Sequence, residues 1–310
     1  MRVLSIGEIL WDHCGTQRTI GGAPLNFSAH MARLGNDVAI LSAVGQDPSG
    51  EEAARHVQGL GIDVSFLQTT SAAPTGSTSV LRNDSGEPTS EINRPAAYDF
   101  VTLDAVILQA ILTYNPDWLY IGTLFHMKPE VALQTVNIRR RMPRLRVFYD
   151  INLRPDNWNL PLIKCLSSNA DIVKLNEAEG RTLADAIGFD DFDASPEKFC
   201  QQWLRTFDLE CVCLTLGARG CLLVTTDDVV TVACNPIEVM DPLGAGDAFS
   251  AGFVHAWHHG LSMQRSGCFA NYMGGLVAGK SGAIPACSAQ ECELLREQFA
   301  SQQKQNENVS

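Results

Sequence analysis

What most constrains this chain is a rhythm. Short, nearly continuous apolar runs at VLSIGE (3–8), DVAILSAVG (37–45), DWLYIG (117–122), RVFYDIN (146–152), DIVKLN (171–176) and CVCLTLG (211–217) recur along it. Helical patterns intervene, among them PLNFSAHMARLG (24–35) and GEEAARHVQGLG (50–61), each closing on a glycine. Strands that are apolar throughout are buried on both faces, so the rhythm predicts an α/β fold with a mainly parallel central sheet and helices on both sides. One segment departs from it. GSTSVLRNDSGEPTSEIN (76–93) is polar and β-rich, with a turn signal at Asn83-Asp84-Ser85-Gly86. It predicts an antiparallel hairpin outside the main sheet. With Leu10–Ile20 it would form a small β-sheet lid from segments about 10–20 and 75–98. No internal repeat or linker divides the sequence, so one domain over 1–300 is expected, followed by a disordered tail at 301–310.

The 310 residues are 45% hydrophobic, enough for a sizeable core. The formal net charge of −12 argues against a broad nucleic-acid or anionic-membrane surface, which needs an excess of Lys and Arg. It does not argue against a nucleotide, which a few local donors can hold. Ten cysteines are scattered without a C-x-x-C pair. Cys211 and Cys213 share one face of a predicted strand and read as buried free thiols. The start MRVLSIGEIL lacks a charged leader and a cleavage site, and no run approaches the roughly 18 apolar residues of a membrane span. A reduced, cytoplasmic protein is expected.

Two stretches compete as a phosphate site. GGLVAGKS (274–281) matches the P-loop pattern G-x-x-x-x-G-K-S/T. A working P-loop follows a buried strand and opens a helix. Here GCFANYMGGLVAG reads as a helix, and Pro285 follows in a turn, so the glycines are expected to serve close helix packing. DPLGAGDAFSAGFVHAW (241–257) fits better. Gly244, Ala245 and Gly246 run straight into a helix and leave amides bare at its N-terminus, where an anion is favoured. Asp247, on the first turn, is either a helix-capping residue or a general base for phosphoryl transfer to a hydroxyl.

Six stretches, in family order, resemble the signatures of the ribokinase-like (PfkB-type) carbohydrate kinases. GGAPLNFSAHMARLG (21–35) resembles their G-G-x-x-x-N helix opening, and VGQDPSG (44–50) their V-G-x-D-x-x-G element. DINLR (150–154) is similar to the D-x-N-x-R strand end of fructokinase-type members. NEAE (176–179) resembles N-x-x-E, TLGARG (215–220) resembles T-x-G-x-x-G, and DPLGAGDAF (241–249) the D-T-x-G-A-G-D box. The resemblance runs from residue 1 to about 285. Pro242 stands where the family usually has Thr, and Leu243 where Thr or Val is frequent.

The resemblance implies a ribokinase-like fold and an ATP-dependent sugar kinase using Mg²⁺. A fructokinase giving fructose 6-phosphate is the foremost expectation. A kinase for ribose or a sugar acid such as 2-keto-3-deoxygluconate is the alternative, and a non-catalytic sugar- or nucleotide-binding member a further one. By the same resemblance Asp247 is the base, while Gly244, Ala245 and Gly246, with the Leu243 amide and Arg154, meet the transferring phosphoryl group. Asp12, Gly21, Gly22 and Asn26 bind sugar hydroxyls, with Arg94 either reaching in from the lid or lying on the surface. Asn176, Thr215, Gly217, Gly220 and Asn271 border the nucleotide. Glu179 faces Mg²⁺ through water, although Asn176 and Glu179 also read as a helix capping box. Asp241 is where the family often holds K⁺, a site put in doubt by Pro242. Implied partners are the sugar and ATP, with a homodimer through the lid, and neither nucleic acid nor membrane.

Overall fold

The structure is a computed structural model describing residues 1–14, 17–82 and 88–307. The strands are β1 (Arg2–Ile6), β2 (Leu10–Cys14), β3 (Gln17–Gly21), β4 (Asp37–Gly45), β5 (Leu67–Thr70), β6 (Gly76–Arg82), β7 (Pro88–Asn93), β8 (Trp118–Gly122), β9 (Arg146–Asp150), β10 (Ile172–Asn176), β11 (Cys211–Thr215), β12 (Cys221–Val224) and β13 (Val229–Val232). Nine of them form one sheet in the order β13-β12-β11-β10-β9-β8-β1-β4-β5. From β5 to β11 every pairing is parallel, and β12 and β13 extend the edge antiparallel. This is the expected mainly parallel sheet.

The pleat sends alternate residues into two apolar layers. Leu4, Leu119, Ile121, Val147 and Tyr149 face one layer, and Val3, Trp118, Tyr120 and Phe148 the other. The first is covered by α3 (Ala105–Tyr114), α4 (Pro129–Arg141), α5 (Leu160–Ser167), α6 (Glu177–Ile187) and α7 (Pro196–Phe207). The second lies under α1 (Ala23–Arg33), α2 (Pro48–Gly59), α8 (Ala245–His258) and α9 (Met263–Ala278). Cys211 and Cys213 are buried in this second layer as free thiols.

The polar segment forms a separate four-stranded sheet, β3-β2-β6-β7. β6 and β7 pair antiparallel from Ser77↔Asn93 to Arg82↔Pro88. The turn signal at 83–86 lies outside the described residues. β2 joins the two halves, antiparallel to β3 and parallel to β6.

Two expectations are corrected or settled at the C-terminal end. The tail is not disordered where it is described: α10 runs Ala289–Glu307. Leu295 is buried against the α8–α9 layer, and Asn306 Oδ1 accepts a hydrogen bond from the Ser262 amide at 2.7 Å, so the helix is held in its first half and at its last turn. GGLVAGKS is the end of α9 and its exit. A Cβ on Gly274 would lie 3.1 Å from the Ala245 carbonyl, so this glycine serves close packing of α9 on α8. No described helix is long and apolar enough to cross a membrane.

Candidate active site

The site begins at the N-terminus of α8. Gly244 is its N-cap, with φ of 76°. A side chain there would be strained in the left-handed region and would place its Cβ 2.6 Å from Ala283 Cα. The Leu243 amide donates to Asp241 Oδ1 at 3.0 Å, and the Ala245 amide to the Pro242 carbonyl at 3.2 Å. This corrects the expectation that all amides from Leu243 to Gly246 are bare. Among the described residues the amides of Gly244, Gly246 and Asp247 make no hydrogen bond. Three unspent donors at a helix N-terminus suit an anion.

Asp247 stands in the first turn of the helix. Its Oδ2 accepts a hydrogen bond from Asn26 Nδ2 at 2.8 Å. Asn26 is inside α1, whose N-cap is Gly22, so it is not a cap. Its side chain is free to cross to α8. Burial pushes the Asp247 carboxyl up to about 7, with help from Asp150 and against Asn26, Lys174 and Arg154. Some of the residue still reaches solvent, but the carboxyl is mostly ringed by protein and other charges.

Below the loop lies a buried ion pair. Lys174 Nζ is 3.1 Å from both oxygens of Asp150, with the two residues 5% and 0% exposed. Ser250 Oγ of α8 donates to Asp150 Oδ2 at 3.1 Å, and Tyr120 OH does so at 3.4 Å. Phe27 of α1 stacks on Tyr120 with ring centroids 4.1 Å apart, tying α1 to the same cluster. A Cβ on Gly246 would sit 3.1 Å from Lys174 Nζ, so the ammonium lies directly under the glycine loop. Burial pulls the Lys174 pKa down most strongly. Asp150, Glu179 and Asp247 outweigh it, and the pKa ends above the ordinary lysine value.

Asp12 lies within β2 of the small sheet, opposite Thr19. Its Oδ1 accepts from Thr78 Oγ1 at 3.0 Å, and a Cβ on Gly21 would fall 2.6 Å from its Oδ2. Burial raises its pKa, while Thr78, Arg154 and His13 oppose the rise. Arg154, in the loop after β9, is exposed; its carbonyl accepts from the Asn157 amide at 3.0 Å, while its guanidinium makes no hydrogen bond or ion pair among the described residues. Its charge acts on Asp12, Asp247 and Glu8 together. Arg94 is otherwise employed. Its guanidinium holds both oxygens of Asp99 and donates to Asn157 Oδ1 at 3.1 Å and to the Leu124 carbonyl at 3.4 Å, so it ties the segment after β7 to the loops that follow β8 and β9.

Asn176 and Glu179 do form a capping box at the start of α6. Asn176 Oδ1 accepts from the Glu179 amide at 2.9 Å, and Glu179 Oε2 from the Asn176 amide at 2.7 Å. Glu179 Oε1 accepts from the Leu153 amide at 3.0 Å. Both its oxygens are thus occupied once, which leaves lone pairs for water and makes direct metal ligation the poorer fit. Its carboxyl is raised by burial, and Asp150 adds to this against Lys174 and the two amides.

Thr215 ends β11, and its hydroxyl donates to the Leu175 carbonyl at 3.4 Å. Gly217 and Gly220 both have positive φ, and a Cβ on Gly220 would lie 1.9 Å from the Val232 carbonyl. Asn271 of α9 donates to that same carbonyl at 2.9 Å. Gly220 therefore leaves room for the end of β13, and Asn271 fastens it. Asp241 joins two loops, because its Oδ2 accepts from the Gly282 amide at 2.9 Å while Oδ1 holds Leu243. Among the described residues no group of three or more acidic, His or Cys side chains is arranged to hold a metal ion.

With this geometry in view, comparison with known proteins is decisive on family. The model of the pfkB family carbohydrate kinases matches residues 13–290. The chain belongs to this family. Fructokinase-1 of Oryza sativa subsp. japonica is 26% identical to this PfkB kinase over 320 residues, covering 95% of this chain and 96% of its own. Aminoimidazole riboside kinase of Salmonella typhimurium is 27% identical over 281 residues, covering 86% and 84%. The solved structure of an uncharacterized sugar kinase from Pyrococcus horikoshii, in complex with ATP, superposes with a TM-score of 0.78 at 25% identity, covering 97% of this chain and 99% of that one. The fold is therefore that of the ribokinase-like kinases.

Reading the sequence of this PfkB kinase residue by residue overlooks Lys174, Ser250 and Glu8 in the site. A signal existed for two of them. Lys174 is a charge inside the apolar run DIVKLN, and Glu8 follows one in VLSIGE. A charge within a two-sided buried strand has to find a partner.

Proposed function

We propose that the protein transfers the γ-phosphoryl group of ATP to a hydroxyl of D-fructose, giving fructose 6-phosphate. The observation that carries this reading is the meeting of Asp247 with three unspent amides. A carboxylate near 7 stands within one helical turn of an anion cradle. Asn26 fixes the rotamer of Asp247 through the 2.8 Å hydrogen bond. Asp247 takes the proton of the acceptor hydroxyl as it attacks the γ-phosphorus. The amides of Gly244 and Gly246, with Arg154, stabilise charge on the phosphoryl oxygens, and Lys174 adds a positive field from below. Asp12 holds a second hydroxyl of the sugar.

Mg²⁺, when bound with the nucleotide, supplies charge neutralisation at the phosphates, and Glu179 would hold it through water. Asn176, Thr215 and Gly217 border the nucleotide in this reading, with Gly220 and Asn271 supporting that wall. Asp241 and neighbouring carbonyls are the place for K⁺. The small sheet closes over the acceptor as a lid and provides a surface for a homodimer. The core domain spans 1–300.

Fructose is favoured because fructokinases recur among the relatives. A riboside acceptor is the second reading, supported by the equal similarity to aminoimidazole riboside kinase. The test is an ATP-coupled assay with fructose, ribose, 2-keto-3-deoxygluconate and aminoimidazole riboside, with and without EDTA. Fructose should give the highest kcat/KM and EDTA should abolish it. A higher kcat/KM on another acceptor would replace fructose and keep the kinase. No turnover on any would contradict the reading.

A further inference from the structure

Six buried side-chain polar atoms lack a hydrogen-bond partner among the described residues, and three of them gather at this site: Glu8 Oε2, Asn26 Oδ1 and Tyr98 OH. Asn26 is bonded to Asp247 through its other atom. Glu8 feels the charges of Asp247 and Arg154, and Tyr98 feels that of Glu8. The three are therefore neighbours of one centre. A buried polar atom left without a partner costs its desolvation with nothing in return, and a charged group costs more. Three at one place are best explained by a ligand that satisfies them.

Glu8 is the most informative. It follows β1, is only 4% exposed and lies directly behind Gly22. A Cβ on Gly22 would meet the Glu8 carbonyl at 2.4 Å and its Cγ at 3.4 Å, so the glycine at this helix start makes room for the acid. The amides of Glu8 and Ala23 steady the carboxyl, leaving Oε2 unpartnered. Burial pushes it up to about 7, opposed by those amides and Arg154 and reinforced by Asp247.

We infer that Glu8 is a specificity-determining residue whose Oε2 takes a hydroxyl of a neutral polyhydroxy acceptor, beside the one read by Asn26 Oδ1. This rests on the sugar-kinase reading above. A neutral acceptor follows from the charge around it. Glu8, Asp12 and Asp247 share the field of Arg154, and Lys174 is already paired with Asp150, so a sugar acid would meet net repulsion.

The experiment compares wild type, Glu8→Met and Glu8→Gln on the best acceptor and on each of its singly deoxygenated analogues. In wild type one analogue should lose at least ~10-fold in kcat/KM, because a site built around a hydroxyl rejects its absence. In Glu8→Met the acceptor KM should rise about tenfold, with ATP KM and kcat within about threefold, and that analogue should no longer be penalised. Glu8→Gln, which keeps shape and one acceptor oxygen, should recover most of the KM, and it still reports if Glu8→Met does not fold: the analogue penalty should shrink by at least ~3-fold. An unchanged penalty in both variants, or a parallel loss in acceptor and ATP KM, would overturn the assignment alone. A wild type that phosphorylates no sugar would overturn it together with the kinase reading.

Discussion

At the scale of single residues, the chemistry turns on the charge state of Asp247. Only its ionised form can take a proton, and its pKa is pushed to about 7. Below that value kcat/KM on the free enzyme should therefore fall about tenfold per pH unit. Glu8 is pushed to a similar value by its own burial. A limb that persists in Glu8→Gln identifies Asp247 as its origin, whereas one that disappears there would reassign it. Lys174 sharpens the prediction, since its charge lowers the Asp247 pKa. In Lys174→Met the limb should move to higher pH, as read from a pH–rate profile. The same change strands the fully buried Asp150 without its ion-pair partner, and breaking such a pair costs about 3–5 kcal/mol in chemical denaturation. An unmoved limb would mean that the ion pair only holds the loop in place.

At the scale of elements, the decisive arrangement is two helix starts brought nose to side. α1 presents Asn26 and α8 presents Asp247, and the stack of Phe27 on Tyr120 keeps α1 in register with the Asp150 cluster beneath. The glycines of the α8 loop were legible in the sequence because their need is local: a bare helix N-terminus. The capping box of Asn176 and Glu179 was legible for the same reason. The bond between Asn26 and Asp247 was not, because 221 residues separate the partners and only packing joins them. Nor could sequence show that Arg94 is spent on Asp99, or that Asn271 fastens β13. Gly244→Ala tests the loop. Its positive φ and the 2.6 Å approach to Ala283 force the loop to move. A displacement of about 1 Å can cost about 10²-fold in kcat, and the left-handed backbone adds about 1–2 kcal/mol of instability. Retained kcat in Gly244→Ala would show that the loop tolerates movement.

At the scale of the whole molecule, the alternation of apolar runs and helical patterns captured the parallel sheet, because burial on both faces leaves a plain mark on composition. It missed the edge strands β5 and β13 and also β12 beside β13, each only four residues long. It also missed how far α10 extends, since polar SQQKQNE gives little sign that a helix anchored by Leu295 continues to Glu307. The separate small sheet was foreseen from a polar, β-rich stretch, and its join to β2 and β3 puts Asp12 over Gly21, beside the start of α1. The fold thus brings residues from both ends of the chain around one carboxylate, and the account rests on what that carboxylate does. The most direct measurement is phosphoryl transfer from ATP to the best acceptor by wild type and by Asp247→Asn, with acceptor binding followed by calorimetry. Binding should be kept within a few-fold while kcat falls by about 10²–10⁴. Turnover surviving in Asp247→Asn within a few-fold of wild type would contradict this role of Asp247.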